Sequence, residues 1–150
     1  MNDLSGKSIL VIDDDPGMLR ALDKVLSGEG AAVTTVGWAG DAVDILTKRE
    51  RVFDLVITDL RMPFVTGVTV VYAIHEIFPQ LPVIVLTAFG SPDVRDECRE
   101  QGAAAFLEKP LDSEELIRTV QEALGLIAPA PQKTSKIEPR YKRKEPEDED

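Results

Sequence analysis

Five short apolar runs punctuate this chain, and four of them end on side chains with chemistry to offer. Residues 8 to 12 lead through Ile9-Leu10-Val11-Ile12 into Asp13-Asp14-Asp15, and residues 54 to 58 through Leu55-Val56-Ile57-Thr58 into Asp59. Residues 82 to 86 lead through Val83-Ile84-Val85-Leu86 into Thr87, and residues 104 to 107 through Ala105-Phe106-Leu107 into Glu108-Lys109. The fifth run, 32 to 36, is short and β-branched. A strand buried on both faces of a parallel sheet reads as such an uninterrupted run bounded by breakers.

Between the runs, apolar residues recur at helical spacing. Met18, Leu19, Leu22, Val25 and Leu26 form one stripe, and Ala42, Val43, Ile45 and Leu46 form a second, expected to face inward on a helix from about 39 to 49. Gly67 is expected to open a loop into a third helix with Val68, Val71, Ile74 and Phe78, stopped by Pro79. The fourth, 94 to 101, is unusually polar, and the fifth carries Leu116, Val120 and Leu124. Start signals agree: Asp15-Pro16 and Ser91-Pro92-Asp93 each pair a cap with proline at the first helical position, and Asp112 with Glu115 resembles a capping box. Five strands alternating with five helices predict an α/β fold, a parallel sheet doubly wound by right-handed crossovers.

Asp59 is the residue on which this pattern converges. A carboxylate at the carboxyl end of a buried strand stands at the sheet edge where open α/β folds bind ligands. Were the strands parallel neighbours, Asp13, Asp14, Asp59, Thr87 and Lys109 would share one rim. Three carboxylates there repel one another unless a hard cation binds, and magnesium suits them because it joins carboxylate oxygens to a phosphoryl group. A lysine and a threonine suit the remaining phosphate oxygens.

Composition narrows the classes. A chain of 150 residues can bury a core as one domain, and a single cysteine, Cys98, forms no internal bridge and points to a reducing compartment. The net charge is −10, and residues 1 to 125 carry all of it, with 11 Lys/Arg against 21 Asp/Glu. Such a body repels phosphate backbones, so no direct nucleic-acid binding is expected of it. The start lacks a signal pattern and no apolar stretch reaches bilayer length, so no membrane partner is expected and the location reads as cytoplasmic. From Ala128 the pattern dissolves into proline, alanine and charge, and 127–150 is expected to be a disordered charged tail.

The ordered set of motifs resembles the receiver domain of two-component response regulators, the CheY-like family, over about residues 7 to 126. It comprises Asp13-Asp14 after the first strand, Asp59 with Met62-Pro63 and Gly67, Thr87-Ala88 after the fourth strand and Lys109-Pro110 after the fifth. The resemblance implies a flavodoxin-like (βα)5 fold with strand order 2-1-3-4-5. It makes Asp59 the phosphoacceptor, with Thr87 and Lys109 contacting the phosphoryl oxygens. Asp14, Asp59 and the backbone carbonyl of Arg61 would hold Mg2+, with Asp13 acting through a water; Thr87 and Phe106 would be the switch pair. A cis Lys109-Pro110 bond also follows from the family.

The implied partners are a sensor histidine kinase or histidine phosphotransfer protein, an unidentified downstream protein and, on phosphorylation, a second copy in a dimer. The chain would catalyse only its own phosphorylation and dephosphorylation, and would not be an enzyme in the ordinary sense. Two alternatives stand beside this reading. The chain can be a receiver excised from a longer, for example transcriptional, regulator. Asp13-x-Asp15 also fits a magnesium-dependent phosphohydrolase with an aspartate nucleophile, although Gly17 replaces the residue such a motif wants. Asp15 is otherwise explained as a cap, His75 as a surface residue and Trp38 as packing.

Overall fold

Each apolar run becomes a strand of one sheet in a computed structural model, which describes residues 3–62, 65–88 and 92–129. The main strands are β1 (Ser8–Ile12), β2 (Ala32–Val36), β3 (Leu55–Asp59), β6 (Val83–Thr87) and β7 (Ala105–Glu108), with a small hairpin of β4 (Arg61–Met62) and β5 (Val65–Thr66) between the third and fourth. All pairings in the large sheet are parallel, in the order β2-β1-β3-β6-β7. Renumbered without the hairpin, this is the expected 2-1-3-4-5. The helices are α1 (Pro16–Gly28), α2 (Ala39–Lys48), α3 (Gly67–Ile77), α4 (Pro92–Glu100) and α5 (Ser113–Ala123).

Successive strand residues point to opposite faces, so the sheet sorts one apolar run into two cores. Leu10, Ile12, Val56, Val83 and Val85 pack with Ala42, Leu46, Val71, Ile74 and Cys98 under α2, α3 and α4. Ile9, Val11, Leu55, Ile57, Ile84, Leu86 and Leu107 pack with Leu22, Leu26, Leu116 and Val120 under α1 and α5. Each fully buried side chain of this kind contributes about 1.5–3 kcal/mol relative to exposure. The three central strands, which carry Asp13, Asp59 and Thr87 at their ends, are therefore the most firmly held part of the molecule.

Helix starts follow their caps. Asp15 caps α1 through Gly17 N at 2.9 Å, and Asp112 caps α5 through Glu114 N at 3.3 Å. Pro92 opens α4 as expected, while Ser91 and Pro63 lie outside the described residues. The chain after Asp59 departs from expectation: it pairs Arg61 with Thr66 and Met62 with Val65, and α3 begins at Gly67 itself. Two-residue strands have too short a period to show in a sequence. The second helix also turns differently, leaving Val43 49% exposed while Ala42 and Leu46 are buried. Trp38 is 55% exposed, its ring lying over Gly40 outside the core.

Candidate functional site

The strand order puts β1 beside β3, with Ile12 opposite Thr58, so the next residues in each chain, Asp13 and Asp59, emerge together. Asp13 is 1% exposed and Asp59 7%, whereas Asp14 is open to solvent. One oxygen from each of the three carboxylates lies within 4.8 Å of the others. Local hydrogen bonds orient them: Asp15 N donates to Asp13 Oδ1 at 2.9 Å, and Arg61 N donates to Asp59 Oδ2 at 3.2 Å.

Lys109 reaches this cluster from the edge of the sheet. Its Nζ stands 2.8 Å from Asp59 Oδ1 and 3.5 Å from Asp13 Oδ2. The backbone holds it there, because Lys109 N donates to Thr87 O at 2.7 Å; the Lys109-Pro110 bond that follows is cis, as expected. Thr87 is 1% exposed at the end of β6, whose Leu86 pairs with Asp59. Asp13, Asp14, Asp59 and Lys109 are thus brought together, Arg61 contributes a backbone amide, and Thr87 ends the neighbouring strand. Phe106 stands one strand further out, opposite Val85 and packed against the α2–α4 core.

Charge in this cluster is finely opposed. Burial pushes the Asp13 carboxyl above its ordinary value, and the neighbouring Asp59 charge adds to this, against the Asp15 amide and Lys109, which pull it down. Burial also pulls Lys109 down, but its hydrogen bond to Asp59 and the charges of Asp13 and Asp59 together outweigh it and leave the ammonium raised. An all-oxygen donor set in which one buried carboxylate resists ionisation fits a hard divalent cation, and Asp13, Asp14 and Asp59 can hold one. Asp15 caps α1, its Oδ1 accepting from Gly17 N. His75 is exposed, with its ring beside Gly102.

Three further residues lie beside the site. Gly67 N donates to Leu60 O at 2.6 Å, and a Cβ on Gly67 would lie 2.7 Å from Asp59 O and 2.8 Å from Leu60 Cα. Only glycine lets α3 start this close to the Asp59 backbone. On the other flank, Arg95 Nη2 meets Glu108 Oε2 at 3.1 Å and its guanidinium lies 5.1 Å from the Phe106 ring centroid. Gly67 had a place in the motif; Arg95 and Glu108 had none, because their pairing joins a polar helix to a strand end.

The sequence matches the family model of the response regulator receiver domain over residues 9–121. The chain belongs to this family. As a receiver it is not a conventional enzyme. It is 40% identical over 122 residues to the transcriptional regulatory protein GlrR of Escherichia coli K12, covering 81% of this chain and 27% of that protein. The receiver thus spans about a quarter of the length of the curated relatives it matches. Among solved structures it resembles a receiver domain protein from Clostridium thermocellum, with TM-score 0.75, 31% identity, and 79% of this chain and 94% of that one covered. It also resembles the beryllofluoride-activated NtrC4 receiver domain dimer, with TM-score 0.74, 30% identity, and 79% and 96% covered.

Proposed function

We propose that this receiver takes a phosphoryl group onto Asp59 from the phosphohistidine of a sensor kinase or phosphotransfer protein, in a magnesium-dependent reaction, and uses it to switch a protein-binding face. The observation that carries this is the 2.8 Å approach of Lys109 Nζ to a buried Asp59 carboxylate flanked by Asp13 and Asp14. In the transfer an Asp59 oxygen forms a bond to phosphorus while the phosphorus–nitrogen bond of the donor breaks, its electron pair staying on the imidazole, which takes up a proton. Lys109 and the Thr87 hydroxyl hold the phosphoryl oxygens. Asp14, Asp59 and the Arg61 carbonyl would hold magnesium directly and Asp13 through water; when bound, the ion neutralises charge on the transferring group.

The test is labelling by acetyl phosphate with magnesium, and by a panel of kinases. Wild type should acquire one phosphoryl group per chain and Asp59→Asn none. Lys109→Ala should still label but show a smaller change in amide exchange across residues 92 to 107, because the ammonium links the phosphoryl group to β7. No labelling from any donor would sink the proposal.

A second reading is favoured by coverage: the transcriptional relatives are about four times as long as the matched region, so this receiver can be the input module of such a regulator. Its acidic body makes protein contact, not nucleic acid, the output of this chain, and a phosphorylation-dependent dimer follows by analogy with the activated NtrC4 receiver. The cytoplasm, where histidine kinases present their phosphohistidine, is the compartment this function requires. No helix among the described residues is long and apolar enough to cross a membrane.

A further inference from the structure

Helix α4 gives little apolar surface to the core. Of its nine residues only Cys98 is buried, with Val94 partly buried against the same core. The helix therefore depends on other ties, and Arg95 makes two at once. Its Nη2 pairs with Glu108 at 3.1 Å and its guanidinium covers the Phe106 ring. Phe106 and Glu108 are two residues apart and so lie on the same face of β7, while Leu107 between them faces the opposite core. A planar guanidinium can stack on a ring while its edge meets a carboxylate, which an ammonium cannot do.

These two residues stand next to the chemistry. Glu108 pairs with Thr87 across the ladder and precedes Lys109, whose amide is bonded to Thr87 O and whose ammonium is bonded to Asp59. Any displacement of Lys109 and Thr87 toward a group on Asp59 moves the backbone that carries Glu108.

We infer that Arg95 is a positioning residue that clasps α4 to Phe106 and Glu108 while Asp59 is unmodified, and that the clasp opens when Asp59 carries a phosphoryl group. This rests on the phosphoacceptor reading and adds to it a residue that restrains α4 before the signal arrives. A half-exposed ion pair and a cation–π contact are each weak, which suits a restraint that one covalent event must overcome.

The experiment is amide exchange over residues 92 to 108 in the full chain, with and without acetyl phosphate and magnesium. In unmodified protein Arg95→Met should exchange about three- to tenfold faster than wild type, as expected for the loss of two weak contacts. Glu108→Gln, which keeps the stacking, and Arg95→Lys, which keeps the charge, should fall between. In phosphorylated protein Arg95→Met and wild type should coincide. Unchanged exchange in unmodified Arg95→Met overturns the clasp, and so does equal acceleration in both states, which would make Arg95 a plain structural support of α4. Failure of wild type to label counts against the phosphoacceptor reading instead, and the unmodified comparison alone then decides whether Arg95 restrains the helix.

Discussion

The site is made of two halves that the fold treats differently. Asp13 and Asp59 end β1 and β3, central strands whose apolar residues are almost wholly buried, and α3 presses its first residue against the Asp59 backbone. Lys109 follows β7, an edge strand with one buried residue, beside a helix with one buried residue. One half is fixed by close packing and the other by a few polar ties. The transfer proposed for Asp59 would need an acceptor held still, because misplacement by an ångström is costly, while the proposed response would need an element that moves at small cost. The molecule puts the first requirement at the centre of the sheet and the second at its edge.

The largest effect should come from breaking the fixed half. Ile57→Ala empties a fully buried site in β3 and should cost about 2–5 kcal/mol in urea unfolding, whereas Phe106→Ala, at a partly buried edge position, should cost clearly less. Equal losses would erase the distinction between the halves. Next, Gly67→Ala forces a methyl group against Asp59 O and Leu60 Cα, both backbone atoms, and should cost about 1–3 kcal/mol and slow labelling of Asp59. Normal labelling in that variant would show that the acceptor tolerates movement after all.

A smaller effect should appear in the charges. The folded pKa of Asp13 is raised above the ordinary 3.8, so ionising this group costs stability: the cost is absent below 3.8 and fully present above the raised value. Asp13→Asn keeps an acceptor for the Asp15 amide and removes that cost. Without metal it should be more stable than wild type at pH 7, by on the order of 1 kcal/mol, the gain shrinking as pH falls toward 3.8. Magnesium should narrow or reverse the difference, since it stabilises the protein that binds it better. A gain that does not change with pH would refute the electrostatic account. The smallest effect should come from removing residues 130 to 150, which on composition contribute little burial; the thermal midpoint should stay within about a degree or two. A larger shift would mean that one of the halves leans on the tail.

The fixed half was the more legible one. Burial on both faces of a parallel strand forces the unbroken runs at Ile9 to Ile12, Leu55 to Ile57 and Val83 to Leu86, and a carboxylate or hydroxyl closing each run marks the rim. Asp15 and Asp112 announced their helices because capping is a local bond. The hairpin at Arg61–Met62 and Val65–Thr66 escaped notice because its strands are two residues long. Val43 was misplaced because a helix of ten residues with a broad apolar stripe leaves its angular position open by one residue. Arg95 was illegible for a different reason: its value depends on Phe106 and Glu108 meeting it in space, and a charged residue on a polar helix carries no sign of its partner.

The ion pair between Asp13 and Lys109 joins residues 96 apart in the chain, with Lys109 following the last strand to be added. A chain ending at Asp59 would carry β1, β2 and β3 but not Lys109. At that stage the three carboxylates have no cation of their own and every apolar edge beyond β3 is bare. Only docking of the final strand supplies the ammonium. Completing the cluster therefore depends on the whole width of the sheet, and a chain cut before its edge strand would lack the ammonium that faces Asp13 and Asp59.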